Sequence, residues 1–118
     1  MKKIYFLKTC DTCKRILKQL NTTDFILQDI KSTPITVAQL EEMHQRAKTY
    51  EALFSRRAKK YKEMALKDRL LTEIDYKQLI LEHYTFLKRP VIIDGDTIFI
   101  GSSKKVVEAL VENYRKLL

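Results

Sequence analysis

Glycine and proline are scarce in this chain, two of each in 118 residues. That scarcity excludes long flexible linkers and any glycine-rich loop able to cradle a phosphate. Cysteine and histidine are as few, two of each. Zinc usually takes four ligands, so a metal centre would have to recruit Asp or Glu, and no metal is expected. Long apolar runs are missing as well. No segment approaches the ~20 apolar residues of a membrane-spanning helix. The opening Met1-Lys2-Lys3 is basic, but the apolar run Ile4-Tyr5-Phe6-Leu7 stops at Lys8. A secretory leader needs roughly seven apolar residues or more. These absences predict a cytoplasmic protein that does not enter the membrane, in a compartment that keeps thiols reduced. Acidic residues are outnumbered, 15 against 23 basic, for a formal charge of +8. The excess favours an anionic partner: nucleic acid, an acidic protein face or an oxyanion. No nucleic-acid motif accompanies it, so direct nucleic-acid binding is not expected.

What is present begins with the two cysteines, spaced as Cys10-Asp11-Thr12-Cys13. They follow a short apolar run and open a helical pattern. A helix N-terminus offers free N–H groups and a positive dipole end, and both favour thiolate over thiol. A C-x-x-C in a β-to-α turn of an intracellular chain is a redox signal. Residues 3–7 read as a buried strand, 11–20 as a helix and 24–30 as a second strand. In the helix, Cys13, Ile16, Leu17 and Leu20 share one face, which turns Cys13 to the core and leaves Cys10 at the exposed tip. Strand, helix and strand within about thirty residues make a βαβ unit with parallel strands.

The middle is helical. Thr36-Val37-Ala38-Gln39 is a capping-box pattern. The stripe Leu40, Met43, Ala47, Tyr50 and Phe54 predicts a helix to about residue 54. A shorter helix is expected over 58–65. Another opens at Thr72-Glu73-Ile74-Asp75, with Tyr76, Leu79, Ile80 and His83 on one face. His44 and His83 read as structural side chains near apolar stripes, and the tyrosines as packing. The end returns to β. Val91-Ile92-Ile93 and Thr97-Ile98-Phe99-Ile100 flank Asp94-Gly95-Asp96, a hairpin signal. Ser102 or Ser103 can cap a last helix carrying Val106, Val107, Leu110, Val111, Tyr114, Leu117 and Leu118. The length suits one domain over 1–118, with a helical insertion at about 36–84. The fold class is α/β, in the order βαβ, helical insertion, ββα. That is a thioredoxin-like arrangement, with a four-stranded mixed sheet flanked by helices. Its first two strands are expected parallel and its last two antiparallel.

Lys88-Arg89-Pro90-Val91 supplies a second signature, since proline at the start of an inner strand needs a local reason. Thioredoxin-like proteins place a cis-proline there. With Cys10-Asp11-Thr12-Cys13-Lys14, Leu53 to Tyr61 and Phe86 to Asp94, the chain resembles the ArsC/Spx family over nearly its whole length. The resemblance implies a thiol-disulfide redox protein of the arsenate reductase type. Cys10 would be the nucleophile and Cys13 the resolving thiol, with Arg89 as an oxyanion clamp. Lys14, Arg57 and Pro90 would line the substrate. Ser55 and Gly101 stand where arsenate reductases of this type carry further arginines, which predicts weak arsenate reduction. The implied substrate is an oxyanion or a protein disulfide. The implied reductant is glutathione, another small thiol or a thioredoxin, with no bound cofactor. The alternative is an Spx-like redox-sensing regulator that binds the RNA polymerase α subunit. Thr49 stands where that binding surface has glycine, while Arg57 matches one of its basic positions.

Overall fold

The computed structural model describes residues 1–116. The chain order is β1 (Lys2–Phe6), α1 (Asp11–Lys18), β2 (Ile26–Asp29), α2 (Val37–Ala47), α3 (Lys59–Glu63), α4 (Glu73–Glu82), β3 (Val91–Asp94), β4 (Thr97–Ile100) and α5 (Lys104–Tyr114). Among the described residues no helix is long and apolar enough to cross a membrane. Two compact units emerge. The first joins Met1–Thr33 to the segment from Arg89 onward, and the second is Pro34–Lys88.

The first unit holds one sheet in the order β2-β1-β3-β4. β1 and β2 run parallel, while β1 with β3 and β3 with β4 run antiparallel. This is the mixed, thioredoxin-like sheet expected from the sequence. Ile4 lies opposite Ile92 across β1 and β3. Both are buried in one cluster with Ile16 and Leu20 from the α1 segment and Leu110 from α5. The 0, 3, 4, 7 spacing therefore does what it predicts, turning one stripe of α1 onto the sheet. Fully burying an Ile or Leu side chain is worth about 1.5–3 kcal/mol, so this cluster fixes where α1 starts. The far end of α1 is tied to the end of α5. Asn21 N–H donates to the Tyr114 carbonyl at 2.8 Å, and Lys116 N–H to the Gln19 carbonyl at 3.0 Å. Leu117 and Leu118, assigned to the last helical face, lie outside the described residues. Ser103, not Ser102, caps α5, its hydroxyl accepting from Val106 N–H at 3.3 Å.

The hairpin closes through Gly95-Asp96, with Asp94 opposite Thr97 as the last strand pair. Gly95 has φ +60° and Asp96 is not in the left-handed region. Glycine is needed at the first turn position because a Cβ there would be strained by that backbone.

The second unit corrects three expectations. α2 stops at Ala47, not near residue 54, because Lys48 takes a left-handed conformation at φ 76°. The chain then makes a 3₁₀ turn at Glu51–Leu53. Its free N–H groups are met from α4: the Glu73 carboxylate accepts from Tyr50 N–H at 2.7 Å and Glu51 N–H at 3.1 Å. The helix expected over 58–65 is only Lys59–Glu63. His83 does not lie on the face of α4. It follows the helix in an extended conformation and meets the Phe86 ring edge-on at 5.7 Å. Both expected capping boxes form, Thr36 with Gln39 and Thr72 with Asp75.

Candidate functional site

β1, an inner strand, ends at Phe6, and Leu7 to Thr9 turn the chain into α1. Cys10 N–H donates to the Leu7 carbonyl at 3.0 Å, which closes this turn. Cys10 is the N-cap of α1, with an extended backbone at φ −91° and ψ 114°. Its carbonyl accepts the first helical bond, from Lys14 N–H at 3.1 Å. Cap positions usually carry an oxygen that accepts the orphan N–H groups. Here a sulfur occupies that place. It makes no cap hydrogen bond of ordinary geometry. Even so, the N–H groups of Cys13 and Thr12 lie close enough to favour negative charge on it.

The two thiols are driven apart in acidity. Partial burial pushes Cys10 up. The Cys13 N–H and thiol, the Thr12 N–H and the Arg89 charge outweigh it, and Cys10 ends below the ordinary thiol value. Cys13 is 0% exposed. Burial pushes its thiol up to about 11, and the neighbouring Cys10 thiolate adds to the rise. Leu7 and the Arg89 charge pull the other way without prevailing. The thiolate form is thus favoured at Cys10 and disfavoured at its neighbour.

Arg89 precedes Pro90 across a cis peptide bond, and Pro90 is buried. The Pro90 carbonyl accepts from Gly101 N–H at 2.9 Å. Gly101 has φ +86°, a conformation that disfavours any side chain, arginine included. Of the residues singled out in the sequence, the first unit groups Cys10, Cys13 and Arg89. Lys14 is exposed on α1. Arg57 belongs to the second unit, where its N–H donates to Ser55 Oγ at 3.3 Å. Among the described residues no group of three His, Cys, Asp or Glu side chains is placed to hold a metal.

Asp29 is a member of the site that local patterns do not reveal. Its Oδ1 accepts from Lys8 N–H at 3.0 Å, across 21 residues of chain. Its Oδ2 accepts from Ser32 Oγ at 2.9 Å. The Lys8 N–H, helped by Ser32, holds the Asp29 carboxyl below its usual range. The turn that carries Cys10 is therefore pinned to β2. The signal for it lies in the parallel register. Phe6 pairs with Asp29, so an acid ending β2 stands beside the turn leaving β1.

The sequence profile of the ArsC family matches residues 5–110. The chain belongs to the ArsC family. Solved structures share the fold of this ArsC chain. An arsenate reductase from Vibrio cholerae is 22% identical, with a TM-score of 0.71 over 94% of this chain and 95% of that one. A protein from Bacteroides fragilis, described as related to the ArsC family, is 20% identical, with a TM-score of 0.74 over 92% and 96%. An arsenate reductase related protein from Brucella melitensis is 21% identical, with a TM-score of 0.64 over 92% of each chain. No curated protein matches the sequence.

The placement of Arg89 leads to a test. Arg89→Ala is expected to raise the Cys10 pKa, because a nearby positive charge favours thiolate. Lys18→Ala is the control. Lys18 is exposed at the end of α1, roughly 12 Å from Cys10 at 1.5 Å per helical residue, beyond the ~8–10 Å screening length of physiological salt. Thiolate absorbance against pH in a Cys13→Ser background reads both. Equal shifts would assign the effect to bulk charge.

Proposed function

We propose that this ArsC-family chain is a thiol-disulfide redox protein of a reducing compartment such as the cytoplasm, with Cys10 as nucleophile and Cys13 as resolving thiol. The observation that carries the reading is the unlike setting of two thiols three residues apart, Cys10 half-exposed at the cap of α1 with its pKa lowered and Cys13 buried with its pKa raised. The Cys10 thiolate attacks one sulfur of a substrate disulfide. The substrate S–S bond breaks, one substrate thiolate leaves, and a mixed disulfide forms on Cys10. Cys13 then loses its proton and attacks the Cys10 sulfur. The second substrate thiolate departs and a Cys10–Cys13 disulfide remains. Two electrons have passed from the cysteine pair to the substrate. An external thiol, glutathione or a thioredoxin-type protein, returns them.

The timing follows from what holds Cys13 protonated. Two of the causes that raise its pKa are the charge and the hydrogen bonding of the Cys10 sulfur. Both vanish once Cys10 is in a mixed disulfide, while the Arg89 charge stays. Cys13 thus becomes more acidic at the step that needs its thiolate. Pro90 and Lys14 would border the bound substrate.

Arsenate is expected to be a poor substrate. A doubly charged oxyanion calls for forked, bidentate donors. Arg89 is one such donor, and Ser55 and Gly101 supply none at the positions where arginine is expected. Each lost charge-assisted bond costs on the order of 1.5–3 kcal/mol, so kcat/KM for arsenate should fall below about 10⁴ M⁻¹s⁻¹.

Oxidised glutathione tests the thiol reading. Wild-type protein should end as the Cys10–Cys13 disulfide, lighter by two hydrogens. Cys13→Ser should stop at a stable glutathione adduct on Cys10. An adduct that persists on wild-type protein, or that forms on Cys13, overturns the assignment.

A further inference from the structure

The turn that leads from β1 into α1 is exposed at Lys8 and Thr9. From within, it is closed by the bond from Cys10 N–H to the Leu7 carbonyl at 3.0 Å. Exposed backbone with few bonds opens easily, and such a turn makes a loose mount for a reactive sulfur. A second hold comes from outside, where Asp29 Oδ1 accepts from Lys8 N–H at 3.0 Å. The mount of that carboxylate is itself fixed. Asp29 closes β2 opposite Phe6. Ile30 N–H donates to the Phe6 carbonyl at 2.9 Å, and Thr33 N–H to the Asp29 carbonyl at 2.9 Å. Ser32 Oγ donates to Asp29 Oδ2 at 2.9 Å, which leaves Oδ1 aimed at Lys8.

Among the described residues Asp29 enters no ion pair, so neutralising a lysine or arginine does not account for it. Lys8 is two residues from Cys10, which puts the carboxylate within about 10 Å of the Cys10 backbone. A negative charge so close works against a thiolate. The acid thus has an electrostatic cost at this site, and its hold on the turn is what offsets it. We propose that Asp29 is a positioning residue for Cys10: by holding the Leu7–Cys10 turn, it keeps the Cys10 sulfur beside the Thr12 and Cys13 N–H groups. Its action passes through the Lys8 amide rather than through contact with the sulfur. This role rests on Cys10 being the nucleophile of the thiol chemistry proposed above.

The sign of one shift separates the two effects of Asp29. Charge alone predicts that Asp29→Ala lowers the Cys10 pKa, whereas positioning predicts that it raises it. Thiolate absorbance against pH, in the full chain with Cys13→Ser and no substrate, reads the shift. A failed turnover assay therefore leaves this result standing, and a null result here leaves the thiol chemistry standing. Asp29→Ala should raise the Cys10 pKa by about half a unit, an about threefold fall in its ionisation constant. Asp29→Asn keeps an oxygen for Lys8 N–H and should match the parent or fall below it. Amide exchange at Lys8, followed by NMR, should quicken at least about tenfold in Asp29→Ala and stay slow in Asp29→Asn. Asp24, exposed ahead of the other end of β2, is the control: Asp24→Ala removes the same charge and should change neither readout. A loss of stability with the Cys10 pKa unmoved would reduce Asp29 to a structural tie and overturn the proposal. So would a lowered pKa in Asp29→Ala, or a rise as large in Asp29→Asn. Far-UV circular dichroism checks that each variant is folded. Should Asp29→Ala fail that check, Ser32, an exposed residue, supplies the second variant. Ser32→Ala should quicken Lys8 exchange and raise the Cys10 pKa together, and an unmoved pKa would overturn the proposal.

Discussion

Iodoacetamide added to the fully reduced protein at pH 7 is expected to alkylate Cys10 at least about tenfold faster than Cys13. Cys13, held at about 11, is thiolate in only about one molecule in ten thousand at that pH. An ordinary thiol is ionised about three hundredfold more, and Cys10 lies on the acidic side of ordinary. A less basic thiolate is also a weaker nucleophile, which gives back roughly tenfold. The burial of Cys13 then adds to the difference that remains. Peptide mass spectrometry against time reads both rates. Raising the pH to about 10.5 should shrink the ratio, as Cys13 begins to ionise. Faster labelling of Cys13 at neutral pH would exchange the roles of the two residues.

The second large effect is on stability. Cys13 keeps its proton up to about 11 in the folded chain, whereas an unfolded thiol releases it near 8.5. Between these values the folded state binds more protons than the unfolded one, so stability falls as pH rises. The contribution is complete below the unfolded value and is lost as pH climbs through the folded one. With a slope that approaches about 1.4 kcal/mol per unit, Cys13 should cost the reduced protein about 1.6 kcal/mol between pH 8.5 and pH 10. Cys10 has the opposite sign. Its lowered pKa stabilises the fold above the unfolded value, and that gain fades as pH falls through the folded value. Urea unfolding across the alkaline range tests the claim. Cys13→Ala should be less stable at every pH because of the cavity, yet should lack this alkaline slope. An unchanged slope in Cys13→Ala would assign the loss to other groups, such as Tyr114, whose hydroxyl burial and Asp94 hold up to about 12.

The parts of this fold that were legible in the sequence are those written in local chemistry. Ile16 and Leu20 repeat at helical spacing and meet the sheet. Thr36 with Gln39 and Thr72 with Asp75 start helices where their capping boxes stand. Asp94-Gly95 turns a hairpin whose strands pair as their alternation requires. The misread elements depend on distant partners. The stripe from Leu40 to Phe54 fits a continuous helix, and local periodicity gives no reason to end it. Glu73, 23 residues from Tyr50, supplies the acceptor that makes a second, tighter turn stable there. Asp29 was invisible for the same reason, because its bond to Lys8 exists only once β1 and β2 lie side by side. The pair of cysteines was evident from spacing alone. Their unlike burial was evident too, since Cys13 shares the helical stripe of Ile16 and Leu20, whereas the N–H groups and the Arg89 charge that act on Cys10 belong to the folded chain.

One consequence concerns the helix that Cys10 begins. Cys10 is the cap of α1, and the Thr12 and Cys13 N–H groups near its sulfur favour the thiolate. A disulfide on this sulfur carries no charge, so oxidation weakens the cap and the favourable meeting of anion and helix dipole. The reduced chain thus has the more strongly held first turn, and the oxidised chain the looser one. Stabilising the reduced state raises the reduction potential of the pair. Under the proposed thiol chemistry the pair is thereby tilted toward accepting electrons, and the first turn of α1 becomes a local reporter of redox state, with amide exchange at Thr12 and Cys13 expected to be faster after oxidation.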